Sequence, residues 1–306
     1  MLPPLFKNMK LVFLGTGGSY PTPNRNVPCS ALKYDGDILL FDCGEGSQRQ
    51  LMMSSLSFMK VKKIFISHFH GDHFLGIPGL VQSMNMNDRD EPLEIYGPQG
   101  SSSLIKGLIS RGFFGPGFPI HITELKPGAR LDFDSYYIRS IMSDHDVPSL
   151  AYAFEERDRK GRFDRQRAID LGVPEGPLFS DLHSGSAVKV NGDEIRPEQV
   201  VGPPRRGRKI IYSGDTRPTQ RMIEASDRAD VLIHDSTFDS SMSERAMERG
   251  HSSTEMAAKI ACEADVDKLF LVHISPRYTD GKILEKEARE IFENTMVPDD
   301  LSEYEL

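Results

Sequence analysis

The strongest signal in this 306-residue chain comes from one short segment, Ser67-His68-Phe69-His70-Gly71-Asp72-His73. It follows an apolar run, residues 61–67, that is typical of a β-strand. His68 and His70 are two positions apart, so in extended backbone their side chains project to the same side. Gly71 permits a sharp turn, after which the last two residues of the segment open a helix and can point back. Because imidazole and carboxylate groups are good ligands for zinc and similar divalent metals, the segment predicts a metal site.

Three further polar residues follow other predicted strands. Asp215 and His273 each come directly after an apolar run, and His145 follows the predicted strand at 136–142. This is where α/β proteins build their sites. Taken singly, Asp215 also fits a helix cap, and each histidine also fits a hydrogen-bonded core group. Together with the histidine cluster, all three are predicted to be ligands.

The composition is that of an ordinary globular protein. Hydrophobic residues make up 38% of the chain and charged residues 27%. A chain of this length can bury roughly three quarters of its unfolded surface, so it can form a sizeable core without disulfide bonds or structural metal ions to stabilise it. These values exclude a wholly disordered chain, a collagen-like repeat and a disulfide scaffold.

Cysteine usage and hydropathy indicate the compartment. Cys29, Cys43 and Cys262 form no CxxC pair, which argues against a disulfide framework and against a cysteine-rich zinc site. No stretch approaches 18 apolar residues, and the first ten residues lack the apolar core of a secretory signal. We therefore expect a cytoplasmic protein without a membrane span.

Charge is distributed unevenly along the chain. The net charge of −8 argues against a general nucleic-acid binder. However, residues 157–167 carry six basic and two acidic side chains, residues 205–209 form a second basic run, and residues 285–306 are strongly acidic. For each run, a merely solvated surface remains the alternative interpretation.

Strand and helix patterns alternate, which predicts an α/β architecture with a largely buried sheet. The predicted strands are residues 10–14, 37–42, 61–67, 93–96, 120–123, 136–142, 209–212, 230–234 and 268–272. The predicted helices are residues 45–56, 73–84, 98–111, 242–249, 254–264 and 282–293. Residues 155–204 are polar, rich in Gly, Pro and Arg, and only weakly periodic. A segment of this length is expected to be a functional or mobile excursion from the main body.

These motifs together resemble those of the metallo-β-lactamase superfamily, and more narrowly those of the short form of ribonuclease Z, a tRNA 3′-processing endonuclease. The likeness runs from about residue 10 to about residue 278. The superfamily signature is the HFHGDH motif at residues 68–73, with His145, Gly214-Asp215-Thr216 and His273. The narrower similarity includes Phe41-Asp42-Cys43-Gly44-Glu45-Gly46, Gly202-Pro203-Pro204-Arg205-Arg206-Gly207, Tyr212-Ser213-Gly214-Asp215-Thr216-Arg217-Pro218, Gly250-His251-Ser252 and His273-Ile274-Ser275-Pro276-Arg277-Tyr278.

The resemblance implies a fold and a metal content. The fold would be an αββα sandwich of two mixed sheets, a single domain over residues 1–306 with an inserted flexible arm at 155–204 that serves as a tRNA-binding exosite. Two zinc ions per subunit would be bound. The ligands implied for one ion are His68, His70 and His145, and those for the other are Asp72, His73 and His273, with Asp215 bridging. Asp42 would orient the ligands.

The resemblance and the chemistry of the side chains also indicate catalytic roles. Asp72 would be both a ligand and a proton acceptor. His251 suits a general acid, because imidazole titrates in the working pH range. Asp235, at a position where the family usually has Glu, would orient His251. A capping or surface role for His251 and a turn or cap role for Asp235 remain alternatives, and His234 is interpreted as structural.

The function implied is an endoribonuclease that removes the 3′ trailer from precursor tRNA, leaving a tRNA 3′-hydroxyl and a 5′-phosphate on the trailer. In this family the arm reaches tRNA from the partner subunit, which implies a homodimer. One alternative is a related dinuclear hydrolase of small phosphodiesters, thioesters or lactones. Another is a non-catalytic protein that binds RNA ends.

Three motifs stay outside this scheme. Gly15-Thr16-Gly17-Gly18-Ser19 follows a strand but lacks the dinucleotide-binding spacing, so we predict a tight turn at the rim of the metal site. Residues 21–26 resemble a family loop, PxKxRN, linked to sensing the CCA end, with Pro23 in place of the lysine. Arg277 and Tyr278 suit either a contact to phosphate or base, or packing.

Overall fold

The computed structural model describes residues 9–111, 115–158 and 160–306. The chain divides into two compact units. The main unit consists of Met1–Asp132, Ile138–Phe154 and Lys209–Leu306, and the arm unit of Phe133–Tyr137 and Glu155–Arg208. Arg159, part of the basic run noted above, lies outside the described residues, as does most of the stretch examined for a secretory signal.

The strands in the described ranges are numbered in chain order. They are β1 (Met9–Gly15), β2 (Cys29–Tyr34), β3 (Asp37–Phe41), β4 (Val61–Phe65), β5 (Leu93–Gly97), β6 (Ile120–Glu124), β7 (Arg130–Asp132), β8 (Tyr136–Met142), β9 (Leu150–Glu156), β10 (Val188–Val190), β11 (Asp193–Ile195), β12 (Lys209–Tyr212), β13 (Val231–Asp235), β14 (Leu269–Val272), β15 (Thr295–Met296) and β16 (Glu303–Glu305).

The α-helices of the same ranges are numbered likewise. They are α1 (Ser47–Met53), α2 (Gly71–Phe74), α3 (Ile77–Met86), α4 (Ser101–Ile109), α5 (Arg165–Asp170), α6 (Pro177–Ser184), α7 (Gln220–Ser226), α8 (Ser243–Glu248), α9 (Thr254–Glu263) and α10 (Lys282–Arg289).

Within the described part of the chain, two sheets have seven strands each. The first has the order β16-β1-β2-β3-β4-β5-β6 and the second β15-β14-β13-β12-β9-β8-β7. In the first sheet β16 to β3 pair antiparallel and β3 to β6 pair parallel. In the second, β12 to β15 pair parallel. Of the parallel strands, β4, β12 and β14 end within three residues of a predicted ligand.

The strands place aromatic side chains between the two sheets. Phe13 of the first sheet has its ring centroid 4.9 Å from that of Phe270 in the second, and Phe41 lies 5.5 Å from Tyr212. The alternate residues of β1, Val12 and Leu14, belong to a second apolar cluster with residues of α1, α3 and α4. Residues of α7, α9 and α10 pack likewise on the second sheet. This arrangement confirms the predicted αββα sandwich.

All nine predicted strands are present, with ends that differ by at most two residues, but other strands were missed. β2 and β9 lie in the middle of the sheets, and β7, β15 and β16 form edges. β9 is buried along nearly its whole length, so it lacks the alternating pattern that identifies a half-exposed strand. Of the helices outside the arm unit, α7 was also missed.

The single helix predicted for residues 73–84 is wrong, because the structure has α2 and α3 there. The Gly76 N–H donates to the carbonyl of Cys43 at 2.9 Å, and the His73 carbonyl accepts from the Cys43 N–H at 2.8 Å. A Cβ at Gly76 would lie only 2.0 Å from the Gly44 carbonyl oxygen. The break therefore lets α2 dock on the residues that follow β3.

The arm unit has its own small core. Ala168 of α5, Leu182 of α6 and Val188 of β10 are buried in one hydrophobic cluster. β10 and β11 form a hairpin in which Val188 pairs with Ile195. The sequence analysis predicted none of these elements, because each is too short to produce a clear period.

The acidic C-terminal segment forms part of the main unit. β16 pairs with β1, and Lys10 lies 2.7 Å from Glu303 and 3.2 Å from Glu305. All three cysteines are free thiols. Among the described residues, no helix has the length and apolar character needed to cross a lipid bilayer.

Phe41→Ala should lower the free energy of unfolding by about 3–5 kcal/mol, because the side chain is fully buried between aromatic rings of both sheets. Met86→Ala, at a side chain that is 74% exposed, should change it by less than about 0.5 kcal/mol. Urea unfolding followed by circular dichroism measures both. Equal stability of the two variants would contradict the proposed packing.

Candidate metal centre

The predicted ligands follow strands of both sheets. Asp42 follows β3 and lies beside the segment after β4, whereas Asp215 and His273 follow β12 and β14. Asp42 and His273 adopt left-handed backbone with φ of 59° and 62°. For non-glycine residues this conformation costs of the order of 1–3 kcal/mol and is concentrated at functional sites. It turns both side chains sharply out of their strands.

A first group of ligand atoms lies around His70. Its Nδ1 is 3.0 Å from Nε2 of His68 and 3.2 Å from Nε2 of His145. Oδ2 of Asp215 is 3.6 Å from Nε2 of His68. One atom from each of these four residues lies within 4.8 Å of the others, a spread that a metal ion can fill.

A second group lies beside it. Oδ2 of Asp72 is 3.6 Å from Nε2 of His73 and 3.4 Å from Nε2 of His273. Oδ2 of Asp215 is 3.3 Å from both of these nitrogens. Asp215 therefore contacts both groups, as a bridging carboxylate must.

Four histidines form hydrogen bonds through Nδ1, and these bonds orient their Nε2 atoms toward the pocket. The Ser67 hydroxyl donates to Asp42 at 2.7 Å, so it accepts from Nδ1 of His68 at 3.0 Å. The Thr237 hydroxyl donates to Asp235 at 2.7 Å and accepts from Nδ1 of His273 at 2.7 Å. These bonds leave the Nε2 lone pairs of His68 and His273 facing the pocket.

The other two bonds act in the same way. Nδ1 of His73 donates to Asp42 at 2.7 Å, and Nδ1 of His145 donates to the Gly250 carbonyl at 2.8 Å. The Nε2 atoms of His73 and His273 are buried and have no hydrogen-bond partner. Buried nitrogens are rarely left unpaired, and metal-binding histidines typically use their second nitrogen in this way. The donor set therefore fits two divalent cations.

The electrostatics favour the charge states that metal ligands need at His68, His70 and Asp72, whereas at His73 they reflect the negative charge around the pocket. Burial lowers the pKa of His68 and of His70, so both imidazoles are neutral and keep a lone pair. Burial disfavours ionisation of Asp72, but the neighbouring imidazoles of His273 and His73 outweigh it and hold the pKa of Asp72 well below its usual range. Burial also opposes the charge of His73, yet Asp215 and Asp42 raise the pKa of His73. This excess of negative charge is what bound cations would balance.

Asp42 is a buried supporting carboxylate with hydrogen-bond partners from both sheets. It is fully buried, and it accepts bonds from the Ser67 N–H at 2.6 Å and from the Ser67 hydroxyl, the His73 Nδ1 and the Tyr212 hydroxyl at 2.7 Å each. Tyr212 belongs to the opposite sheet. Asp42 thus orients a ligand and joins the two sheets.

The glycine-rich turn contacts the pocket, which confirms the prediction for residues 15–19. The Ser19 N–H donates to Oδ2 of Asp72 at 2.7 Å. A Cβ at Gly18 would lie 2.5 Å from the His273 ring, so only glycine allows this close approach. The turn holds a carboxylate and an imidazole from different elements.

His251 and Asp235 meet at the edge of the pocket. Nδ1 of His251 lies 2.9 Å from Oδ2 of Asp235, and the His251 ring stacks on His273 with centroids 5.0 Å apart. Burial opposes the charge of His251, but the buried Asp235 carboxylate raises the pKa of His251 to about 9. The ring is 15% exposed. The geometry provides a protonated imidazole beside the metal ligands.

The remaining candidates lie further out. Nδ1 of His234 bonds the Asp235 carbonyl at 2.8 Å. The guanidinium of Arg277 lies 5.0 Å above the Phe238 ring, and the Tyr278 hydroxyl lies 3.0 Å from Asp239. For Arg277 and Tyr278 these are packing contacts, and they leave the Arg277 side chain exposed.

Residues 21–26 are anchored at their C-terminal end. Arg25 is buried and donates from Nη1 to the Pro298 carbonyl at 2.8 Å, and the Asn26 side chain donates to the Glu45 carbonyl at 2.9 Å. Pro23, which replaces the family's lysine, is exposed. The exposed residues of this loop are Pro21, Pro23 and Asn24.

The sequence analysis missed the residues that support the ligands. Ser67, Thr237 and Tyr212 bond Asp42, Asp235 or a ligand ring, as described above. In the sequence, only their position inside or next to the motifs indicated such a supporting role. A hydroxyl next to a predicted ligand is a reasonable candidate for such a role.

Comparison with known proteins identifies a broad class first. Residues 186–274 match the family model described as a beta-lactamase superfamily domain, and residues 9–108 match the model of the anti-Pycsar protein Apyc1. YhfI from Bacillus subtilis, a metallo-beta-lactamase fold protein, shares 19% identity and a TM-score of 0.72 over 98% of this chain and 100% of that chain. The chain therefore has the metallo-β-lactamase fold, with histidines and aspartates suited to binding metal.

Closer relatives identify the family. Ribonuclease Z of Methanosarcina acetivorans is 48% identical over 299 residues, 97% of this chain and 98% of the relative. Ribonuclease Z of Thermoplasma acidophilum is 46% identical over 98% of this chain and 97% of the relative. The crystal structure of human tRNase Z, short form, covers 97% of this chain and 98% of that chain with 27% identity and a TM-score of 0.72. The chain belongs to the ribonuclease Z family.

Asp42→Asn should weaken metal binding about 10–100-fold, because an uncharged amide with a single acceptor oxygen cannot accept all four bonds that the carboxylate accepts from Ser67, His73 and Tyr212. Titration of the metal-free protein with zinc in the presence of a competing chelator measures the affinity. Asp37→Asn, at an exposed position on the same strand, is the control and should bind zinc like the wild type. Unchanged affinity in Asp42→Asn would show that Asp42 does not orient the ligands.

Proposed function

We propose that this protein is an endoribonuclease that cleaves the 3′ trailer from precursor tRNA, leaving a tRNA 3′-hydroxyl and a trailer 5′-phosphate. Membership of the ribonuclease Z family supports the substrate. The observation that carries the chemistry is the convergence of seven histidine and aspartate side chains on one pocket, with the His251–Asp235 pair at its edge. Mapping the 3′ end of the product, from precursors with and without an encoded CCA, tests the reaction and its position. An uncut precursor, or a product ending in a 3′-phosphate, would contradict it.

We further propose that the pocket takes two zinc ions. His68, His70 and His145 would hold one, Asp72, His73 and His273 the other, and Asp215 would bridge them. Two such ions supply Lewis-acid stabilisation of a phosphodiester and lower the pKa of water toward neutrality. The unpaired Nε2 atoms of His73 and His273 support this assignment. Metal analysis of the purified protein should give two zinc ions per chain.

The protein's own groups would move the protons. Asp72 is ionised and can accept a proton from the attacking water. When the bond between phosphorus and the 3′ oxygen breaks, that oxygen needs a proton. His251 can donate it from Nε2, because its Nδ1 is held by Asp235 at 2.9 Å. The Asp235 carboxylate favours the charged imidazole and fixes its orientation.

His251→Ala should retain both metal ions but lose turnover about 10²–10⁴-fold, the usual contribution of a general acid. Zinc content and kcat on precursor tRNA measure the two effects separately. Asp235→Asn should lower kcat in the same direction. A His251→Ala variant with activity within a few-fold of the wild type would exclude the general-acid role.

We propose that the arm unit is the tRNA-binding exosite. Arg162, Arg165 and Arg167 lie along one cleft of the unit, and the unit has a hydrophobic cluster of its own. Clustered arginines suit the phosphate backbone of RNA, and this binding should weaken with salt. The β-ladder contact between the Glu156 N–H and the Arg208 carbonyl, 2.9 Å long, brings the two ends of the unit together.

Replacing residues 160–205 by a short glycine-serine linker should raise KM for precursor tRNA roughly tenfold or more, since phosphate contacts are lost. Hydrolysis of bis(p-nitrophenyl) phosphate should stay near the wild-type rate. Equal loss of both activities would contradict the exosite assignment. Retention of both would favour the alternative hydrolase of small substrates, which has less need of a basic arm.

The non-catalytic alternative is not supported by the site, because all seven candidate ligands and both proposed catalytic partners are present. The homodimer and the cytoplasmic location stay predictions. Light scattering at several protein concentrations would test the first.

A further inference from the structure

Arg217, two residues after Asp215 of the candidate metal centre, makes hydrogen bonds with three of its side-chain nitrogens. Its Nη1 lies 3.2 Å from Asp144, its Nη2 lies 2.7 Å from Asp146, and its Nε donates to the Met247 carbonyl at 2.6 Å. All three guanidinium nitrogens are therefore engaged by different residues. The side chain is only 20% exposed, while both aspartates are 53% exposed.

The two aspartates flank a candidate ligand, His145. The backbone of the same segment is tied down as well. The Arg217 N–H donates to the Asp144 carbonyl at 2.8 Å, and the Asp144 N–H donates to the Thr216 hydroxyl at 3.0 Å. Because Thr216 and Arg217 directly follow Asp215, the segment with His145 is fastened to the segment with the bridging carboxylate.

The third contact of Arg217, to Met247, lies close to the residue that orients the His145 ring. Met247 lies three residues before Gly250, whose carbonyl accepts the bond from Nδ1 of His145. A Cβ at Gly250 would lie 2.6 Å from that nitrogen, so the two segments are closely packed. Arg217 thus holds both the loop that carries His145 and the loop that orients its ring.

We propose that Arg217 is a positioning residue that holds His145 in place as a metal ligand. This inference rests on the proposed metal centre. The loop with His145 is partly exposed and lies outside the strands, so its own packing does not immobilise it. A planar fork can bond two carboxylates and a carbonyl at once, whereas lysine offers a single point charge. Arg217→Lys should therefore restore little of what Arg217→Ala loses.

Zinc titration of the metal-free protein against a competing chelator tests the proposal. Arg217→Ala should raise one of the two zinc dissociation constants about 10–100-fold and leave the other within about threefold, as expected when a group that orients one ligand is lost. Arg228→Ala, at an arginine whose side chain is 75% exposed, is the matched control and should bind like the wild type. Equal weakening at both sites, or none, would overturn the proposal.

A double-mutant cycle shows whether the effect passes through His145. Once His145→Ala has removed the ligand, adding Arg217→Ala should weaken zinc no further. Full additivity of the two losses would overturn the proposal. Asp146→Asn removes the negative charge of one partner without altering Arg217, and should weaken the same site by a smaller factor. If Arg217→Ala folds poorly, zinc titration of Asp146→Asn still tests the proposal.

The same titration separates this inference from the proposed function. A wild type that binds two zinc ions but leaves precursor tRNA uncut would contradict the function and not the role of Arg217. A wild type that cleaves precursor tRNA, with an Arg217→Ala variant that matches the control in both affinities, would contradict only the role of Arg217.

Discussion

The site depends on the buried carboxylate of Asp42. It has no exposed surface and accepts four hydrogen bonds, from Ser67 after the first sheet's β4, from His73 on α2, and from Tyr212 on the second sheet. A buried carboxylate without hydrogen-bond partners would be costly in this environment, so the groups that bond Asp42 must all be in place. The same set of bonds joins the two sheets and orients His73 toward the pocket.

Similar supports recur around the pocket. Asp235 binds both the Thr237 hydroxyl, which orients His273, and His251, which lies in stacking contact with His273. Each supporting carboxylate therefore serves two functional side chains. The consequence is that the ligand set and the proton donor share one rigid frame, although they come from distant parts of the chain. The left-handed backbone at Asp42 and His273 is the local strain that this frame sustains.

The sequence analysis succeeded more often in the main unit than in the arm unit. Nine strands, among them β1, β8 and β14, were predicted to within two residues at each end. The elements of the arm unit were missed, because they are short and their segment is polar and only weakly periodic. The helix expected over residues 73–84 was wrong because the Gly76 N–H bonds the Cys43 carbonyl, which is far away in the sequence.

The side chains that can bind metal could be identified from the sequence, because ligand chemistry resides in residue type and His68, His70, Asp72 and His73 are local neighbours. The two groupings of these side chains and the bridging role of Asp215 were implied by the family resemblance, whereas the Nε2 orientation of the rings and the contacts of Arg217 with the His145 loop became visible only in the folded chain. These features depend on distances of about 3 Å between residues that are up to some two hundred positions apart, and such distances are set by the packing of two sheets. Residue spacing carries no information on which ring nitrogen faces a pocket, since that choice belongs to hydrogen-bond partners from other strands.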